Sequence, residues 1–166
     1  MPAPPSRSDF VCYTDGSCKA GEDAPGGWGF FIKGPGEDER EGYGSETRTL
    51  AKVMEYRAVA EALAVLPERA HVKVFSDNQS LVTNLATKLR DWSESAFVNV
   101  DEAISASVRA IDASIRDKGL TVSFQWVRAH NGNEGNERAD ALAAKGAREA
   151  KASFAAKGDA KRTAKR

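Results

Sequence analysis

This 166-residue chain has few residues for covalent or metal-mediated cross-links, with two cysteines, Cys12 and Cys18, and two histidines, His71 and His130. Neither cysteine has a second Cys pair or a nearby His at zinc-ligand spacing, so a disulfide framework and a structural zinc site are both excluded. Both are read as unbridged thiols, as expected of a cytoplasmic protein. No stretch approaches the roughly 18 uncharged apolar residues that a membrane helix requires, so no membrane association is expected. The opening MPAPPSRSD lacks the apolar centre of a signal peptide. Internal repeats are absent too. There is no excess of either charge, since 24 Lys and Arg balance 24 Asp and Glu, and 41% of the residues are hydrophobic. That composition fits one compact soluble domain and excludes disorder throughout.

The balance of charge hides an uneven distribution. Residues 147–166 hold seven basic and two acidic side chains, a net +5, so the rest of the chain carries −5. An acidic body with a basic tail suits a polyanionic partner held partly by the tail, although such a tail also serves plain solubility. The expected organisation is an N-terminal extension over residues 1–8, a folded domain over 9–147, and a flexible basic tail over 148–166.

Residues 9–14 (DFVCYT) are β-prone and run into Asp15-Gly16, which reads as a strand ending in a turn. Residues 26–32 (GGWGFFI) and 40–48, separated by Gly34-Pro35-Gly36, complete a three-stranded meander. From 50 to 66 the period becomes helical, with Val59, Ala62, Leu63 and Leu66 on the apolar face and Pro67 as the stop. A short strand over 71–76 leads to Asp77-Asn78, either of which can cap a helix running to about Leu89. A further helix spans 101–117, with Ile104, Val108, Ile111 and Ile115 on one stripe and Gly119 ending it. Residues 120–127 form the last strand, a Gly- and Asn-rich loop covers 129–135, and a final helix runs from about 136 to 147. Strands in a meander followed by alternating helix and strand imply an α/β fold, a mixed sheet flanked by helices.

Four carboxylates occupy positions suited to a ligand. Glu55 lies in the helical row Glu55, Val59, Ala62, Leu66, on the apolar stripe, where an acid is costly without a cation or hydrogen-bond partner. Asp15 closes the first strand, Asp77 ends the fourth, and Asp140 sits in the first turns of the last helix. Singly, each has a plain structural reading as turn residue, helix cap or dipole partner. Jointly, strand ends and helix faces of one sheet can converge, and clustered acids call for divalent cations. Oxygen-only ligands favour Mg²⁺ or Mn²⁺ over zinc, and two such ions about 4 Å apart suit phosphodiester hydrolysis. His130, in the loop RAHNGNEGNERAD, is placed as a proton shuttle or an exposed bystander. His71, just before a strand, is ordinary.

The segments YTDGSC (Tyr13 to Cys18), PGGWG (Pro25 to Gly29), Met54-Glu55 on its helix, FSDNQSLV (Phe75 to Val82) and WVRAHNGNEGNERADALA (Trp126 to Ala143) stand in an order and spacing that resembles type 1 ribonuclease H. The resemblance covers most of the chain. It implies a five-stranded mixed sheet with three leading antiparallel strands, and an endonuclease that hydrolyses the RNA strand of RNA–DNA hybrids with two Mg²⁺ ions, Mn²⁺ substituting, to give 5′-phosphate and 3′-hydroxyl ends. It further implies a monomer with Asp15, Glu55, Asp77, His130 and Asp140 as catalytic residues. The four acids would be the metal ligands, with Asp15 shared by both ions, Asp140 on the water-activating one, and Glu55 and Asp77 completing the other. His130 would assist proton transfer or product release. Gly16, Ser17, Cys18, Asn78, Gln79, Trp92, Phe97 and Asn136 would contact substrate, partly by sensing the RNA 2′-hydroxyl.

The chain departs from the family pattern twice. Ala51 and Lys52 replace a pair of asparagines ahead of the helical Glu, so some minor-groove hydrogen bonds are lost or replaced. The aromatics Trp92 and Phe97 of the DNA-binding handle are retained, but residues 89–101 carry one Arg against three acids. That segment cannot neutralise phosphates, and the +5 tail is a candidate to compensate. Trp92 and Phe97 are equally compatible with packing into the helix junction. Two other classes remain: a hybrid-binding module with weak or lost catalysis, against which the four acids argue, and another nuclease, exonuclease or resolvase, which shares such acids on the same fold.

Overall fold

The computed structural model describes residues 9–18, 24–129 and 132–164, the side chains of 154 and 156–164 excepted. The chain runs β1 (Asp9–Ser17), β2 (Ala24–Lys33), β3 (Glu39–Thr49), α1 (Ala51–Ala64), β4 (His71–Ser76), α2 (Gln79–Thr87), α3 (Leu89–Glu94), α4 (Glu102–Lys118), β5 (Thr121–Trp126) and α5 (Glu134–Ala164). The strands form one sheet in the order β3-β2-β1-β4-β5. β1, β2 and β3 pair antiparallel, whereas β4 runs parallel to β1 and β5 parallel to β4. The expected five-stranded mixed sheet is present.

Alternation along the strands separates the two faces. Phe10 and Cys12 of β1, Phe30 and Ile32 of β2, and Val72 and Val74 of β4 join Tyr56, Val59 and Leu63 of α1 and Ile104, Val108 and Ile111 of α4 in the main core. Their opposite-facing neighbours Tyr13 and Phe75 stack with ring centres 5.3 Å apart. α5 crosses this second face. Its contact uses backbone rather than side chains: a Cβ on Gly29 would lie 2.6 Å from the Ala143 amide nitrogen, and one on Gly27 or Gly146 would collide with Ala143 or Gly44. Small residues Ala139, Ala143 and Ala150 line the buried side of the helix.

The Asp15-Gly16 turn is not observed. β1 continues to Ser17, with Asp15 opposite Gly29, Gly16 opposite Trp28 and Ser17 opposite Gly27. The glycine is there for another reason: a Cβ at Gly16 would stand 2.5 Å from the Glu55 nitrogen and 2.7 Å from the Met54 carbonyl carbon, so its absence lets α1 touch the strand. The helix expected to reach Leu89 instead breaks at Lys88, where α3 begins. The final helix starts at Glu134 and passes residue 147 without interruption, because Ala150 is still buried and Tyr43 donates to Glu149 at 2.9 Å. α4 matches expectation closely, with Asp101 capping Ala103 and Gly119 in the left-handed conformation at its end.

Cations from other elements finish α1. Lys118 of α4 donates to the carbonyls of Leu63, Ala64 and Leu66, and Arg40 of β3 donates to Val65. These are the acceptors that a helix C-terminus leaves without intrahelical partners. Glu55, early in α1, thereby belongs to a helix held at its far end by charged donors.

Candidate active site

Parallel pairing brings the acids together. Tyr13 of β1 lies beside Phe75 of β4, so two residues further along each strand Asp15 and Asp77 reach the same end of the sheet. This is the carboxyl end of parallel strands, where α/β folds place their ligands. Because Gly16 admits α1 so closely, Glu55 approaches from the helix. One carboxylate oxygen from each of Asp15, Glu55 and Asp77 lies within 4.8 Å of the others. Asp140, two turns into α5, also acts on the Asp15 carboxyl, through hydrogen bonding and charge.

The electrostatics of this cluster are unfavourable without a cation. Asp15, only 7% exposed, is pushed up to about 8 by burial, reinforced by the charge of Asp77 and the hydrogen bond and charge of Asp140. The Gly16 amide, donating to Asp15 Oδ1 at 2.9 Å, opposes the shift and is outweighed. Burial also raises Glu55, with a further push from Asp77 and an opposing hydrogen bond from Asn78. Among the described residues, no basic side chain acts on either acid. A half-buried, oxygen-only donor set that repels its own charge suits a hard divalent cation.

Asn78 fixes one wall of the site. Its side-chain oxygen accepts from Leu81 N at 3.0 Å, capping α2, while its side-chain nitrogen donates to Glu55 Oε2. The cap is therefore Asn78, leaving Asp77 to face the other acids. Ser76, buried and unremarked in the sequence, accepts from the Asn78 amide at 3.1 Å and ties the strand end to the turn.

A model of the RNase H family matches residues 7–148. The chain belongs to the ribonuclease H family. Its relatives include the ribonuclease H of Polaromonas naphthalenivorans (strain CJ2), 39% identical over 139 residues that cover 82% of this chain and 85% of that protein. That of Erythrobacter litoralis (strain HTCC2594) is 37% identical over 142 residues, covering 81% and 93%. Among solved structures, LC9-RNase H1, a type 1 RNase H with the type 2 active-site motif, superposes with a TM-score of 0.72 at 24% identity, covering 87% of this chain and 74% of that one. LC11-RNase H1 in complex with RNA/DNA hybrid gives 0.63 at 20% identity, covering 85% and 98%. Both share the fold. The chain is thus a ribonuclease H hydrolase.

In this ribonuclease H the remaining candidates are dispersed. Gly16 and Ser17 lie in the last pairs of β1, and the Cys18 thiol points at the carbonyls of Thr49 and Ala24, 3.6 and 3.7 Å away. Gln79 is exposed at the start of α2. Trp92 and Phe97 pack against the core, Phe97 beneath the Arg109 guanidinium at 5.0 Å. Asn136 is buried in the first turn of α5, with its side-chain oxygen unpaired. His130 lies outside the described residues.

Proposed function

We propose that this ribonuclease H is an endonuclease that hydrolyses the RNA strand of RNA–DNA hybrids with two divalent ions, Mg²⁺ with Mn²⁺ as substitute, leaving 5′-phosphate and 3′-hydroxyl ends. The observation that carries the reading is the convergence of Asp15, Glu55 and Asp77, with Asp140 acting on Asp15, in a chain of this family. Asp15 would be the ligand shared by both ions, since it lies within the Glu55–Asp77 group and is also acted on by Asp140. Glu55 and Asp77 hold one ion, and Asp140 holds the other. When bound, the ions supply Lewis-acid stabilisation of the phosphodiester and a more acidic attacking water. The protein's own part is orientation: the Gly16 amide fixes one Asp15 oxygen, and Asn78 fixes Glu55. His130 assists proton transfer or product release, and Asn136 and Gln79 flank the substrate path.

A hybrid substrate is supported by the relatives' name and by a solved neighbour that contains an RNA/DNA hybrid. Gly16, Ser17 and Cys18, at the strand end beside the acids, are assigned to the RNA strand. The DNA strand must find its cations elsewhere than α3, whose Arg90 is paired with Glu94. We assign that role to the basic residues beyond Lys151, of which Lys157, Lys161 and Arg162 lie on the continuation of the helix that holds Asp140. All four acids come from one chain, and the enzyme acts as a monomer in the cytoplasm. Among the described residues no helix is long and apolar enough to cross a membrane.

The test presents one sequence as RNA–DNA hybrid, RNA duplex, DNA duplex and single-stranded RNA, with Mg²⁺, Mn²⁺ or EDTA, to wild type and Asp15→Asn. Internal cuts confined to the hybrid's RNA strand, dependent on metal and lost in the variant, are expected. Binding without cutting would leave a hybrid-recognition module. End-inward digestion or cutting of DNA would assign another nuclease class.

A further inference from the structure

Three large apolar side chains are exposed among the described residues, Val65, Val98 and Trp126. Only Trp126 is bonded to the acid cluster. It is the last residue of β5, paired with Ser76 of β4, and 47% of its surface remains open. The ladder between the two strands ends one step later, where the Val127 amide donates to the Ser76 carbonyl at 2.9 Å. Beyond that point the indole continues the connection, its Nε1–H donating to the backbone carbonyl of Asp77 at 3.2 Å.

Asp77 therefore sits between two different restraints. Behind it, Ser76 is held by β5 main chain and, through its hydroxyl, by the Asn78 amide. At Asp77 itself the Trp126 indole grips the carbonyl of the residue whose carboxylate belongs to the acid cluster. Carbonyl and carboxylate hang from one Cα, so a bond that anchors the carbonyl limits the drift of that Cα and, with it, the origin of the side chain. Groups that hold a metal ligand in place without touching the metal are worth a sizeable part of its affinity, and a site loses function when its ligands drift by about 0.5 Å.

We propose that Trp126 is a positioning residue, whose indole N–H sets the direction of Asp77 toward the divalent ion rather than serving the stability of β5. The proposal rests on the reading of the acid cluster as a metal site, and its first readout needs neither substrate nor turnover. Mg²⁺ titrations by calorimetry are made on wild type, Trp126→Phe and Trp126→Ala. Losing one neutral hydrogen bond corresponds to roughly a two- to tenfold change. Both variants should bind Mg²⁺ more weakly by about that factor, Trp126→Phe as much as Trp126→Ala, since both lack the N–H. On hybrid substrate at fixed Mg²⁺, kcat should fall by a similar factor while KM stays within about twofold.

Wild-type Mg²⁺ affinity in Trp126→Phe would overturn the proposal, as would a rise in KM at unchanged kcat, which would make the ring a substrate contact. If wild type itself does not cleave hybrid, the substrate reading fails while the Mg²⁺ titration still decides the positioning role. Wild-type protein supplies an independent check should the variants fold poorly. Of the three indole N–H resonances, from Trp28, Trp92 and Trp126, that of Trp126 should shift on Mg²⁺ addition and that of Trp28 should not. An unmoved Trp126 signal would refute the coupling.

Discussion

Replacing Asp15 with Asn should abolish activity and yet stabilise the cation-free protein, increasingly so as pH rises. A folded carboxyl near 8 against an ordinary value of 3.8 means that the folded state keeps a proton the unfolded state has lost. Below about pH 4 both states are protonated and the group is silent; through the interval up to 8 the unfolded chain releases its proton first, so stability declines with pH. At about 1.36 kcal/mol per pKa unit the full interval is worth at most about 6 kcal/mol. Asp77 and Asp140 contribute to that penalty and relax when Asp15 is neutral, so about 2–4 kcal/mol is expected for the variant relative to wild type at pH 9. The assay is urea unfolding in EDTA at pH 5, 7 and 9. Wild type should weaken across the series while Asp15→Asn stays nearly level, and added Mg²⁺ should restore wild type alone. A stability difference between the two proteins that is the same at pH 5 and pH 9 would refute the electrostatic account.

Asn78→Ala removes two bonds at once, the α2 cap and the donor to Glu55. It should cost about 1 kcal/mol in thermal or urea unfolding, raise the Glu55 pKa further, and move the acid limb of the kcat profile to higher pH. Neutralising Lys157, Lys161, Arg162, Lys165 and Arg166 with Gln should raise KM for hybrid at low salt and flatten its dependence on salt concentration, by up to about one unit of log–log slope for each phosphate that is no longer neutralised. This is cleaner than truncation after Ala147, which would also remove the buried Ala150 and the Tyr43–Glu149 bond.

How far the sequence foretold this depended on which interactions were local. The α4 boundaries rest on Asp101 and Gly119, residues that act within one turn, and they were legible. Glu55 stood out on its apolar stripe, whereas Asp15 and Asp77 each had a plain local reading until the sheet brought the three together. What stayed hidden was long-range. Gly16 looks like a turn residue until α1 is seen lying against it, and the end of α5 looks like residue 147 until β3 is seen holding Glu149. The choice between Asp77 and Asn78 as helix cap likewise needed Glu55, 23 residues earlier in the chain, to occupy the Asn78 amide.

The bare contact between α5 and the sheet bears on anyone seeking a hardier enzyme. Replacing a mid-helix glycine with alanine is a standard stabilising move, worth up to about 1 kcal/mol from helix propensity. At Gly146 it would drive a methyl into the Gly44 backbone. Main chain rests on main chain there, with no side chain to swing aside, so the helix would have to lift as a rod. Asp140 rides on that rod less than two turns away. A substitution chosen for thermal tolerance, at a residue with no chemistry of its own, would thus be felt as a displaced carboxylate as well as a strained helix–sheet contact.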